Sequence, residues 1–191
     1  MRFDAAAIVL AGGMSSRMGQ NKALLPIDGR PMIERIVDQL RPHFNQILVS
    51  ANDPDRYSFL GLEIVTDRIT GLGPLMGIAC GLARSDYDLN FIVACDIPQI
   101  DLSLVERLFR EVEGHEAAVF LSAGLPEPLF AVYGKVVTKA IEEALARGQL
   151  KVSDALASCF VKYVDLGGDA RLRNLNTTGE LEAYKLEKRG G

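Results

Sequence analysis

The chain has 191 residues, 48% hydrophobic and 24% charged, which suits a single domain spanning 1–191 that can bury a full core without staples. Its formal net charge of −4 supplies no general basic field, so no nucleic-acid partner is expected and any anion site must be local. Only two histidines, His43 and His115, and three widely separated cysteines, Cys80, Cys95 and Cys159, argue against a His-rich metal cluster, a CxxC zinc pair or a His-based triad.

The first element read along the chain is a buried strand, Ala5–Leu10, an apolar run ending at Gly12 and Gly13. With Arg2 ahead of it, this start has the outline of a signal peptide, but Asp4 interrupts it and the apolar stretch is very short. No apolar run is long enough to span a membrane, and the cysteines read as free thiols in a reducing compartment. A cytoplasmic protein with no membrane partner is therefore expected. After a Gly/Ser-rich loop, Pro31 opens a helix whose buried stripe is Ile33, Ile36, Val37, Leu40 and Phe44. "QILVSAN" and "LEIVTD" read as the second and third strands. "GPLMGIACGLA" reads as a helix beginning near Pro74, and "LNFIVACD" as a fourth, almost wholly apolar strand. Asp101 is placed to cap the next helix, with Leu104, Val105, Leu108 and Val112 as its stripe. "EAAVFLS" and "PLFAVYG" follow as strands, then helical stretches at Val136–Arg147 and Val152–Ala157. "FVKYVDL" is a last strand, and Gly179–Lys188 a last, charged helix that Thr178 could cap. Alternating strands and helices, with early strands apolar on both faces, predict an α/β fold: a doubly wound, mostly parallel sheet with helices on both faces. Ligands of such sheets sit beyond the carboxyl ends of the strands.

Three polar groups stand at such ends. The loop "LAGGMSSRMGQNKALL" lacks the GxGxxG spacing of dinucleotide sites and the Gly-Lys-Ser/Thr of a P-loop. Its glycines still let backbone N–H groups approach an anion, and Arg17 and Lys22 offer a planar fork and a point charge. It suits a triphosphate, against the alternative of a solvated surface loop. Asp96 ends the apolar "FIVACDIPQI" at the sheet rim. It reads either as a turn aspartate before Pro98 or as a carboxylate for a hard divalent cation. Asp67 has the same placement after "LEIVT". Gly73, Gly77 and Gly81 recur every four residues on one helix. Ligand contact is favoured for Gly73 and Gly77 near its N-terminus, and for Gly81 ligand contact and sheet packing are equal readings. Asn174 and Asn176 alternate about Leu175, so an extended segment would point both to one face, in a structural or a site role.

"LAGGMSSRMGQNKALLPIDGRPMIERI", "DRITGLGPLMGIACGL", "FIVACDIPQI", "PEPLFAVY" and "NLNTTGEL", in this order and over nearly the whole chain, resemble the nucleotidyltransferases that move NMP from an NTP to an acceptor phosphate. Within them they look most like the MobA-type molybdenum cofactor guanylyltransferases. The resemblance implies a Rossmann-like fold of the nucleotidyltransferase type, GTP and molybdopterin as substrates, and Mg²⁺, or Mn²⁺ in its place, as cofactor. Leu10, Ala11, Gly12 and Gly13 would carry the nucleotide through their backbones, and Arg17 and Lys22 would hold its phosphates. Ser50, Asp67 and Gly73 would join them on the nucleotide side. Asp96 would bind the metal, with Arg17, Lys22 and Asp96 forming the catalytic set. Asn174 and Asn176 would lie on the acceptor side. Transient contact with pterin-delivering or molybdoenzyme-maturation proteins is a further expected partnership. Two positions depart from the family pattern. Asn21 stands where aspartate often precedes the lysine, and Ser50 where some members carry a nucleotide-contacting asparagine, which leaves GTP against CTP open. The competing readings are a molybdopterin cytidylyltransferase, a sugar- or polyol-phosphate nucleotidyltransferase, and a non-catalytic nucleotide-binding regulatory module.

Overall fold

A computed structural model of the chain describes residues 2–12, 21–167, 169, 171, 172, 174, 175 and 178–189. In chain order the elements are β1 (Phe3–Leu10), a 3-10 turn (Lys22–Leu24), a small hairpin of β2 (Pro26–Ile27) and β3 (Arg30–Pro31), and α1 (Met32–Leu40). They continue with β4 (Phe44–Ser50), a 3-10 helix (Asp55–Leu60), β5 (Glu63–Val65), α2 (Pro74–Arg84), β6 (Leu89–Ala94) and α3 (Leu102–Glu111). The last are β7 (Ala117–Ser122), β8 (Leu125–Gly134), α4 (Val137–Ala146), α5 (Val152–Leu156), β9 (Val161–Asp165) and α6 (Thr178–Arg189). Seven strands make one sheet in the order β5-β4-β1-β6-β8-β7-β9. β8 pairs antiparallel with both its neighbours, and the other pairings are parallel.

Both faces of the sheet are covered, which is why β1 could be wholly apolar. Ala5, Ala7 and Val9 point into a core with Ile33, Ile36, Val37 and Leu40 of α1 and Leu104, Val105 and Leu108 of α3. Ile8 and Leu10 point the other way, against Leu75, Ile78 and Leu82 of α2 and Val137 and Ile141 of α4. The predicted α1 stripe holds through Leu40 and fails at Phe44, which is the first residue of β4. Pro42 explains the difference: it has no N–H to donate to the carbonyl of Asp38, so the helix stops and the chain turns. Phe44 instead tilts against Phe3 with ring centres 5.1 Å apart and stacks on Phe91 at 5.8 Å. Asp101 caps α3 as expected, its carboxylate accepting from the N–H groups of Ser103 and Leu104. The two 3-10 segments and the β2–β3 hairpin carry no strong hydrophobic period and are additions to the sequence reading.

The register places the site. Leu10 pairs with Ser50 on one side and Ala94 on the other, and Ser50 pairs with Val65. The carboxyl ends of β1, β4, β5 and β6 therefore share one row across the sheet. Gly12, Asn52, Asp67 and Asp96 each lie two residues beyond it. The chain winds from β1 through β4 to β5, then crosses back to β6 on the far side of β1. Connections leaving β1 and β6 thus run in opposite directions along the sheet, towards β4 and towards β7, both over the face covered by α1 and α3, and open a crevice at the topological switch point.

Candidate nucleotide site

The loop after β1 starts from a rigid floor. The Ala11 N–H donates to the Ser50 carbonyl at 2.9 Å, and the Cys95 N–H donates to the Leu10 carbonyl at 3.1 Å. Leu10 and Ala11 are buried, and Gly12 is the first exposed residue after β1. Backbone polar groups of Ala11 are already spent inside the protein: its carbonyl accepts from the Tyr57 hydroxyl at 3.0 Å. Gly13 and Arg17 lie outside the described residues. The chain is described again at Asn21, whose side-chain oxygen accepts from the Ala23 N–H and caps the short turn that carries Lys22.

Lys22 and Asp96, separated by 74 positions in the sequence, meet through residues near the far end of the chain. Lys22 Nζ donates to the carbonyl of Leu175 at 3.3 Å. The Leu175 N–H donates to the Asp96 carbonyl at 2.8 Å. The Leu175 side chain is buried, so this extended piece is held from both ends. Burial raises the Asp96 carboxyl above its usual range, and the Lys22 ammonium pulls it part of the way back. Desolvation pushes the neighbouring Cys95 thiol up to about 12, which keeps it neutral and removes it as a nucleophile.

One acidic residue of this crevice went unnoticed in the sequence. Glu127 sits in β8 where the pairing with β7 jumps from Val119↔Ala131 to Phe120↔Glu127. Such irregularities re-aim side chains beside sites. Burial raises the Glu127 carboxyl, its hydrogen bond with Asn174 lowers it, and the Asp96 charge raises it further. Glu127 belongs to the quoted "PEPLFAVY", but nothing local marks it as near enough to feel the Asp96 charge, since that nearness depends on the order of β6, β8 and β7. The side-chain oxygen of Asn174 is buried without a partner among the described residues, an arrangement that native interiors seldom leave unfilled. Asn176 lies outside the described residues.

On the other side of β1, Ser50 is buried under α2, its hydroxyl 2.6 Å from where a Cβ at Gly77 would stand. Gly77 is therefore the close-approach point of helix and strand. Gly81 is one too: a Cβ there would lie 2.8 Å from Ile8 Cγ2, so of its two readings sheet packing is the one seen. Gly73 takes φ +70° ahead of Pro74 at the N-terminus of α2, a backbone shape suited to glycine. Asp67 is held by Asn52 in a reciprocal pair. The Asn52 amide donates to the carboxylate at 2.7 Å, and the Asp67 N–H donates to the Asn52 oxygen at 2.9 Å. Asp67 thus reaches the same edge as Asp96, across the end of β1.

A doubly wound sheet whose switch-point crevice gathers Gly12 at the end of β1, a lysine and a rim carboxylate defines a nucleotide-handling α/β protein. The MobA-like NTP transferase domain matches residues 7–160, and the chain belongs to that family. It is 36% identical over 181 residues to a probable molybdenum cofactor guanylyltransferase of Carboxydothermus hydrogenoformans, covering 91% of each chain. It is 31% identical to the molybdenum cofactor guanylyltransferase of Yersinia pseudotuberculosis over the full length of both. Among solved structures, molybdopterin-guanine dinucleotide biosynthesis protein A from Archaeoglobus fulgidus superposes with a TM-score of 0.84 at 24% identity, covering 97% of this chain and all of that one. The same fold extends to a CMP:2-keto-3-deoxy-manno-octonic acid synthetase, with a TM-score of 0.77 at 16% identity over 98% of this chain and 99% of that one.

Proposed function

We propose that this chain, acting as one domain, transfers GMP from GTP to the terminal phosphate of molybdopterin, giving the guanine dinucleotide form of the cofactor and pyrophosphate. The observation that carries the reading is the bridge through Leu175, which seats the Lys22 ammonium and the Asp96 carboxylate in one crevice at the strand ends. The full-length likeness to guanylyltransferases selects the substrates. An acceptor phosphate oxygen attacks the α-phosphorus of GTP, a new P–O bond forms, and the bond to the β-phosphate breaks. Both reacting groups are anionic, so the protein's task is to align them and offset their charge. Lys22 and Arg17 hold the triphosphate and the departing pyrophosphate. The backbones of Leu10, Ala11, Gly12 and Gly13 are assigned to the phosphates, glycine at 12 and 13 permitting close approach. Ser50, Asp67 and Gly73 line the nucleoside side. Asn174 and Asn176 are assigned to the acceptor side, where the side-chain oxygen of Asn174, buried and without a partner among the described residues, is a ready hydrogen-bond acceptor.

Asp96 suits a hard divalent ion: it is a desolvated carboxylate at the rim, raised above its usual pKa and only partly compensated by Lys22. Among the described residues no group of three or more His, Cys, Asp or Glu side chains is arranged to hold a metal alone. An Mg²⁺ or Mn²⁺ ion would be held by Asp96 and, when bound, would supply positive charge against the phosphates. No helix among the described residues is long and apolar enough to cross a membrane. We place the enzyme in the cytoplasm, where pterin-delivering and molybdoenzyme-maturation proteins would meet it transiently.

Pyrophosphate release measured with molybdopterin and each of GTP, CTP, UTP and ATP tests the reading. Release with GTP and Mg²⁺ and not with the other three supports it. Release with CTP alone makes the chain a cytidylyltransferase, and nucleotide binding with no release under any pairing makes it a regulatory module.

A further inference from the structure

Tyr57 is 1% exposed, although it comes from a short 3-10 helix in the connection between β4 and β5. Its ring lies in the core cluster shared with β1 and α1. Its hydroxyl reaches two segments that flank the glycine loop. It donates to the Ala11 carbonyl at 3.0 Å and accepts from the Asn21 amide at 2.7 Å. The Asn21 oxygen in turn accepts from the Ala23 N–H at 3.1 Å. One chain of hydrogen bonds therefore runs from the end of β1, through Tyr57, to the turn holding Lys22.

The direction of each bond follows from what its atoms can do. A backbone carbonyl only accepts, so the tyrosine proton is committed to Ala11. The tyrosine oxygen must then accept, and residue 21 must donate to it while accepting from Ala23. An amide does both; a carboxylate has no proton to give. This accounts for asparagine and not aspartate at position 21. Burial raises the Tyr57 hydroxyl above its ordinary pKa, so the proton on which the chain depends stays in place at neutral pH. The end of β1 and the turn that carries Lys22 are thus tied to one buried side chain from a third segment, which reduces the freedom of that turn before a ligand binds.

We propose that Tyr57 and Asn21 are positioning residues of the phosphate site, holding the Lys22 turn against the end of β1 so that the ammonium meets the triphosphate. The proposal rests on the reading of Lys22 as a phosphate ligand given under the proposed function. Neither residue touches the nucleotide; both act through Lys22.

Isothermal titration with GTP and Mg²⁺ on the full chain tests it, using Tyr57→Phe, Asn21→Ala and Lys22→Ala singly and each of the first two combined with Lys22→Ala. Tyr57→Phe removes one oxygen and keeps the ring. We expect it to stay folded and to weaken GTP binding about tenfold, the size of one or two lost hydrogen bonds. In the Lys22→Ala background the same change should weaken binding by less than about twofold, because partners in one network are not additive. A merely structural tyrosine would lower the thermal midpoint without this coupling. Wild-type affinity in Tyr57→Phe, or an equal loss in both backgrounds, overturns the proposal. If Tyr57→Phe does not fold, Asn21→Ala decides by the same comparison, since it leaves the core ring in place. A wild-type chain that binds no nucleoside triphosphate overturns the reading of the site and the relay with it. Binding of a different triphosphate changes only the nucleotide used in the titration.

Discussion

Lys22 and Asp96 carry opposite charges into one crevice, and the two should separate cleanly in their effects on folding and on turnover. Lys22→Ala and Asp96→Ala should each lower the rate of pyrophosphate release on the order of 10²-fold or more while leaving the circular dichroism spectrum unchanged. Near-normal turnover in either purified variant would remove that residue from the mechanism. Asp96 makes a second prediction. Because desolvation raises its pKa above 3.8, the folded chain holds the Asp96 proton more tightly than the unfolded chain does. The charged form therefore costs stability above the folded pKa, and the cost is relieved as pH falls through it. Asp96→Asn should raise the thermal midpoint of the ligand-free protein at neutral pH, by about 2–4 °C for each kcal/mol recovered in a chain of this size. The gain should shrink as pH falls through the raised folded pKa and be lost by about the unfolded value of 3.8. Both residues were legible from sequence because each ends a recognisable run: a glycine loop in one case, an apolar strand in the other. Glu127 and Tyr57 were not. Their neighbours in sequence are ordinary, and their partners lie on segments that only the folded sheet brings near.

Helix α3 shows what local chemistry determines within one element. Asp101 was read as its cap from type and position alone, and its carboxylate does accept from the N–H groups of Ser103 and Leu104. Asp101→Ala should cost about 1 kcal/mol, a drop of roughly 2–4 °C in thermal midpoint, and Asp101→Asn should recover most of it. Loss of the same size in both variants would point instead to the 3.2 Å ion pair between Asp101 and Arg171, which the neutral amide also breaks. The end of α1 shows the opposite case. Helical spacing carried the stripe on to Phe44, whereas Pro42 and the aromatic packing of Phe44 on Phe3 and Phe91 assign that residue to β4. Periodicity reports a face; it does not say where the backbone leaves it.

At the level of the whole molecule, α2 must lie close to the sheet for the strand ends and the N-terminus of that helix to share one crevice. Gly81 permits this. An added Cβ would stand 2.8 Å from Ile8 Cγ2 and 3.0 Å from its Cδ1, and Ile8 is fully buried. Alanine would gain about 1 kcal/mol in helix propensity, but forced overpacking costs about 1–3 kcal/mol. Gly81→Ala should therefore destabilise by roughly 1 kcal/mol, read as a fall of about 2–4 °C in thermal midpoint. A midpoint at or above wild type would show that Ile8 moves aside freely and that the close approach is not needed.

The alternation of apolar strands and amphipathic helices, the cap on α3, the glycine loop and the placement of aspartates just past strand ends were all determined by the sequence itself. Each depends on residues within a few positions of one another, where periodicity and capping act. The tertiary structure alone decided that β8 runs against its neighbours, that Leu10, Ser50, Val65 and Ala94 share one row, and that Glu127 joins Asn174 and Asp96. It also decided that Lys22 reaches Leu175, 153 positions away, and that Tyr57 ties the end of β1 to the turn that carries Lys22. Those contacts follow from which strands lie side by side, and strand order is set by the packing of the whole core, not by the chemistry of any one segment.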